Sequence, residues 1–133
     1  MEFQKPVVSV ENAEVREMSM LRGASVDVSL LIMNPNSMRK LEATEITCKI
    51  CKVSDDSVLA EDTLDREIRI TPNGMAVVDV PLKVGLFGIG LTGKSMLVRG
   101  TTEVCVSGEV TFIADTETLK VPYTRMIDIE FSK

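Results

Sequence analysis

Val26, Val28, Leu30 and Ile32 alternate with Asp27 and Ser29, a period of two that places one apolar face on a half-buried strand. Leu31 and Met33 make its other face partly apolar. Pro6 opens an earlier apolar-rich run with Val7, Val8, Val10 and Val15, which Gly23 is expected to break. Ile46, Cys48 and Ile50 alternate with Glu45, Thr47 and Lys49. Val58-Leu59 and Glu67–Ile70 read as shorter strand pieces around an acidic patch. Val78, Val80, Leu82 and Val84 alternate with Val77, Asp79, Pro81 and Lys83. Pro81 cannot donate a ladder hydrogen bond, so it marks an edge strand or a bulge. Val104, Val106, Val110 and Phe112 continue the pattern, with Gly108 on the inward parity as a bulge or a point of close packing. Leu119, Val121 and Tyr123, then Ile127, Ile129 and Phe131, form a last strand that Pro122 interrupts and whose apolar parity Arg125 breaks with a charge.

Turn chemistry separates these runs. In Asn34-Pro35-Asn36-Ser37 the residue before proline favours extended backbone, Pro35 presets the first central turn position, and Asn36 tolerates the left-handed region that a type II turn needs next. Thr71-Pro72-Asn73-Gly74 repeats the logic. Asp55-Asp56-Ser57 is a turn signal, and Asp115-Thr116-Glu117 is the turn of a hairpin. Leu86–Val98 does not alternate. Lys94–Arg99 fits a short helix, with Thr92 as N-cap and Gly100 at its end. The expected architecture is all-β: an immunoglobulin/fibronectin type III-like antiparallel sandwich of about seven strands with one short crossover helix. The length of 133 residues suits a single domain, 1–133.

Order and composition carry a resemblance. An alternating strand runs into Asn34-Pro35-Asn36-Ser37; Val78-Asp79-Val80-Pro81-Leu82, a crossover, a strand with Gly108 and Val121-Pro122-Tyr123 follow. From Pro6 to Phe131 the chain resembles the water-stress-and-hypersensitive-response (WHy) domain of the atypical, folded late-embryogenesis-abundant proteins. The resemblance implies a fibronectin type III-like sandwich and a non-enzymatic role in tolerance of desiccation and other stress. It supplies no catalytic residues. The family often places a glycine soon after its fourth strand begins, whereas this chain has Ala60-Glu61-Asp62, which implies a different local turn.

Composition narrows the chemistry. Hydrophobic residues make up 44% and charged residues 26%, so a core is affordable and a disordered water-replacement mechanism is a poor fit. Aromatics are 4%, which makes that core mainly aliphatic, with methionine filling gaps. A net charge of −5 disfavours nucleic acid and anionic membrane surfaces. The absence of histidine removes the commonest general base and metal ligand. The first twenty residues hold no apolar run with a basic start, which suggests a cytoplasmic protein, although an anchor upstream of this sequence is compatible with it.

Three motifs compete with bland readings. Gly88–Ser95 fits the phosphate-binding loop of P-loop NTPases, but that loop belongs to a parallel α/β sheet, and the strand signals here come without intervening helices. Met126-Ile127-Asp128 offers only a weak second magnesium ligand. Cys48-Lys49-Ile50-Cys51 has redox spacing, but on a strand Cys48 points inward and Cys51 outward, as ordinary reduced thiols. Three cysteines without histidine fall short of a zinc site. Asp55, Asp56, Glu61, Asp62 and Asp65 lack calcium-loop spacing and read as a solvated face. The sequence therefore assigns no catalytic, cofactor-binding or metal residue and no cofactor. It points to a domain that presents sheet surface to protein partners or clients, as a monomer or weak homo-oligomer without nucleic acid or strong membrane binding. Two alternatives are an interaction module of a larger cell-surface or secretion assembly, and a nucleotide-binding protein acting through Gly88–Ser95.

Overall fold

A computed structural model describes residues 4–19, 23–54, 56–84 and 101–130. The alternating runs become seven strands: β1 (Val7–Ser19), β2 (Gly23–Met33), β3 (Leu41–Lys52), β4 (Val58–Ile70), β5 (Met75–Val84), β6 (Thr101–Ala114) and β7 (Glu117–Glu130). They form a three-stranded sheet ordered β1-β2-β5 and a four-stranded sheet ordered β4-β3-β6-β7. Every pairing is antiparallel. This is an all-β, immunoglobulin/fibronectin type III-like sandwich. It differs from the constant immunoglobulin arrangement in that the fourth strand joins the sheet of the third. No helix occurs among the described residues, so none there is long and apolar enough to cross a membrane. The expected crossover helix at Lys94–Arg99 and the phosphate-loop match at Gly88–Ser95 lie outside the described residues. The parallel sheet that a P-loop protein requires is absent among the described pairings.

One buried cluster joins the inner faces of both sheets. Val26, Val28, Leu30 and Ile32 of β2 and Val78, Val80, Leu82 and Val84 of β5 meet Ile46 and Ile50 of β3 and Val104, Val106, Val110 and Phe112 of β6. The period-two pattern is thus realised as an aliphatic layer, with Phe112 as its largest fully buried side chain. Pro81 sits on β5, an edge strand, as its missing N–H demands. The hairpin turns at Asp115-Thr116, with Asp115 left-handed at φ 57°.

Five expectations are corrected. Gly23 does not end the first strand; it opens β2 opposite Ser19. Val58–Ile70 is one continuous strand rather than two pieces, and Ala60-Glu61-Asp62 lies inside it with no turn. As the edge of its sheet, β4 absorbs irregularities through register shifts opposite Ala43–Glu45 and Ile50–Cys51, and its acidic residues face water. Pro122 does not interrupt β7, which runs unbroken to Glu130. β7 is also an edge strand, where alternate N–H groups point away from the sheet and one can be dispensed with. Asn36 does not enter the left-handed region: among the described non-glycine residues Asp56, Asn73 and Asp115 have positive φ, and Asn36 does not.

Gly108 proves to be a point of close packing, with no register shift at its position. A Cβ there would collide with the Thr47 carbonyl and lie 2.5 Å from the Tyr123 hydroxyl. The vacancy lets Tyr123, opposite Gly108 on β7, donate its O–H to the Thr47 carbonyl at 2.6 Å. Arg125, the charge on the apolar parity of β7, reaches across to the other sheet. Its Nη1 donates to the Val10 carbonyl at 2.6 Å. That carbonyl stands beside one of two register shifts in β1, at Glu11 and at Arg16, on the edge strand of its sheet.

Candidate interaction surface

The chain crosses between the sheets twice at one end, from β2 to β3 through 34–40 and from β4 to β5 through 71–74. Asn34 and Asn36 tie these crossings together. Both are buried, at 2% and 6% exposure, and they are the buried polar residues among those described. A buried amide must find partners for its donors and its acceptor. Asn34 Nδ2 faces the carbonyls of Arg39 at 2.8 Å, Thr71 at 3.1 Å and Ile70 at 3.3 Å. Asn34 Oδ1 accepts from the Asn36 backbone N–H and from Asn36 Nδ2, each at 3.0 Å. Asn36 in turn pairs with the backbone of Gln4: Gln4 N–H donates to Oδ1 and Nδ2 donates to the Gln4 carbonyl, both at 2.8 Å. Backbone bonds close the assembly, Asn34 N–H to the Gly74 carbonyl at 2.9 Å and Asn73 N–H to the Asn36 carbonyl at 3.0 Å.

This clamp fixes three strand ends at once. Gln4 leads into β1, Asn34 follows β2, and Gly74 precedes β5. The outward residues just inside those ends therefore come into line. Val7, Met33 and Met75 are mutual register partners across the three strands, and Ser9, Leu31 and Val77 form the next row. Val7 is 52% exposed, Met33 41%, Met75 64% and Val77 67%. The face turns polar beyond them: Ser29 donates to Asp79 at 2.6 Å, and Arg16 pairs with Asp27 at 2.8 Å. One end of the sheet thus presents a contiguous apolar patch with a polar border. Scattered exposed apolar residues need no explanation, but a contiguous group of this kind does. The sequence marks Leu31 and Met33 of this patch. Val7, Met75 and Val77 come from strands whose pairing only the fold reveals.

The remaining motifs fall elsewhere. Cys48 is buried beside Ile46 and Ile50, and Cys51 is half-exposed on the outer face, as strand parity requires. Burial pushes the Cys48 thiol up, partly offset by its interaction with the neighbouring Tyr123 hydroxyl. Burial also pushes the Tyr123 phenol far up. Both groups are therefore neutral at pH 7 and belong to the core. Asp128 lies exposed on β7. Asp56 is in the β3–β4 turn, while Glu61, Asp62 and Asp65 are exposed along β4; Asp55 lies outside the described residues. Among the described residues no three His, Cys, Asp or Glu side chains converge to hold a metal.

Comparison with known proteins finds no matching family model and no matching curated protein. Solved structures do match. A protein named for the late embryogenesis abundant (LEA) group, At2g46140.1, superimposes with a TM-score of 0.69 at 16% identity over 95% of this chain and 71% of its own. AT1g01470 from Arabidopsis thaliana gives 0.67 at 13% identity over 97% and 83%. A bacterial adhesin from Mobiluncus mulieris gives 0.54 at 14% identity over 96% and 57%. At these identities the likeness is one of fold, and the fold is shared with an LEA-named protein.

Proposed function

We propose that this chain is a non-enzymatic, WHy-type protective domain that holds partly unfolded client proteins on the apolar end of its three-stranded sheet during drying or related stress. The observation that carries this reading is the aligned patch Val7, Met33, Met75, Leu31 and Val77, held in register by the buried Asn34–Asn36 clamp. Methionine is flexible and polarizable, which suits contact with varied apolar segments rather than one shaped ligand. Each side chain covered contributes at roughly 25 cal/mol per Å² of apolar area, so such contacts are weak and reversible singly. The net charge of −5 keeps the carrier and its complexes apart as water is lost. The fold likeness to an LEA-named protein supports the same reading.

The test is protection of a labile enzyme through drying or freeze–thaw, with a variant carrying Met33→Ser, Met75→Ser and Val77→Ser. These residues are exposed, so the fold and thermal midpoint are expected to survive while protection is lost. Protection by the native chain no better than an equal mass of albumin, or equal protection by the triple variant, overturns the proposal.

A further inference from the structure

Cys51 on β3 and Cys105 on β6 are directly opposite each other. Ile50, Val104 and Val106 in the same stretch are fully buried. Alternation therefore sets both cysteines on the outer face of the four-stranded sheet, where both are half-exposed. The row continues onto the next strand: Cys105 is the register partner of Met126, which is 66% exposed. The Cys105 Sγ lies 3.4 Å from Thr124 Oγ1, so it leans toward the strand that carries Met126. Three sulfurs from three adjacent strands thus share one row, although they are 54 and 21 positions apart in sequence (51 to 105, 105 to 126).

Cysteines opposite each other on one face can close a disulfide or share a metal ion, and the ladder discriminates between them. The Val53 N–H donates to the Glu103 carbonyl at 3.1 Å. Those residues stand two positions beyond Cys51 and Cys105, and rungs alternate, so the cysteines occupy a hydrogen-bonded rung. Opposite Cβ atoms there are near the wide end of about 4.5–5.5 Å. A disulfide needs about 3.5–4.5 Å, so direct bonding would pull the strands out of their ladder. An ion held by two thiolates at about 2.3 Å each, the zinc–sulfur length, spans the gap with the ladder intact. Zinc itself wants a closed set of four N or S ligands, which the row does not offer. Two thiolates and a thioether are instead the donor set that selects Cu(I).

We propose that Cys51 and Cys105, with Met126 as a weaker third donor, form a surface site for one soft monovalent metal ion, Cu(I). Binding replaces two S–H bonds with two metal–sulfur bonds and releases two protons to solvent. The neutral dithiol and the unipositive ion become a complex of net charge −1, and no electron is transferred. Cys48 takes no part, because it points into the core on the opposite face.

The experiment is anaerobic titration of the whole, reduced chain with Cu(I) against a chromophoric Cu(I) chelator, with proton release followed in weak buffer. The native chain is expected to withdraw one Cu(I) and release two protons. Cys51→Ser and Cys105→Ser are each expected to weaken retention by more than the roughly 10–100-fold that loss of an outer-shell partner brings. Met126→Leu is expected to weaken it by less, and Cys48→Ala to leave it unchanged. Circular dichroism checks that each variant keeps its strand content. Failure of the native chain to withdraw Cu(I), or equal retention by the Cys51→Ser/Cys105→Ser double variant, overturns the proposal. So does a chain that, on air oxidation, loses two mass units through a Cys51–Cys105 cross-linked peptide and in its reduced form shows no retention.

Discussion

Two Pro-Asn segments that read alike in sequence behave in opposite ways. At Thr71-Pro72-Asn73-Gly74 the asparagine works through its backbone. Asn73 takes φ 57°, the Gly74 N–H donates to the Thr71 carbonyl at 2.8 Å, and the side chain is in solvent. Pro72 followed by a positive φ is the type II combination. At Asn34-Pro35-Asn36 the backbone stays in ordinary territory and the side chains do the joining, buried and paired with Gln4, Arg39, Ile70 and Thr71. One asparagine is chosen for the φ it tolerates, the other two for the donors and acceptors they carry. Turn composition alone does not separate these roles.

Substitutions that spare one role and remove the other test the contrast. The largest effect is expected from Asn34→Asp, which sets a carboxylate against three carbonyl oxygens in a buried site. The carbonyls lose their donor and face a buried negative charge, at a cost of about 3–5 kcal/mol, read as a fall in the urea midpoint. Asn36→Gly comes next. It removes both bonds to Gln4 and one to Asn34, a loss of about 2 kcal/mol at the usual range for unsatisfied groups. The mirror-image change, Asn73→Gly, keeps the left-handed turn and is expected to leave stability within about 0.5 kcal/mol, whereas Asn73→Ala strains it by about 1–2 kcal/mol. Equal effects of glycine at positions 36 and 73 would erase the distinction.

The last contrast concerns pH. The asparagine clamp has no ionisable group, so its contribution is flat with pH. The Tyr123–Thr47 contact is different. Burial raises Tyr123 above its ordinary value of 10.0 and Cys48 above 9.0. Each group is neutral in both states below its ordinary value, and above it the unfolded chain ionises first. Stability is therefore complete below about pH 9 and declines as pH rises toward the raised folded values. Tyr123→Phe is expected to lose about 1 kcal/mol at pH 7, one net hydrogen bond, and to flatten the alkaline decline above pH 10. Denaturant melts at pH 7, 9 and 10.5 measure both.

Much of the fold was legible because it rests on local alternation. Val78 to Val84 states its own inner face, Pro81 announces an edge or a bulge, Gly108 on the inward parity marks a bulge or close packing, and Cys48 and Cys51 are assigned to opposite faces by spacing alone. What was missed depends on partners distant in the chain. Asn36 bonds to Gln4 across 32 positions and Asn34 to Ile70 across 36, so neither burial leaves a trace in its own neighbourhood. The acidic stretch of β4 and Pro122 of β7 read as breaks because propensity cannot register that both strands lie at sheet edges. The pairing of Cys51 with Cys105 is invisible for the same reason: parity gives the face, and only the register gives the neighbour.

Arg125 and the two shifts in β1 bear on how this molecule behaves when crowded. The open margins of the three-stranded sheet are β1 and β5. An uninterrupted margin beside an apolar face invites a second chain to add its own strand, the first step toward a fibre. Here the register of β1 shifts at Glu11 and at Arg16, the Val10 carbonyl beside the first shift is occupied by Arg125, and β5 carries Pro81 and then Lys83. The apolar face is therefore open to side chains, while the margins beside it offer a second chain no uninterrupted row of backbone groups to extend.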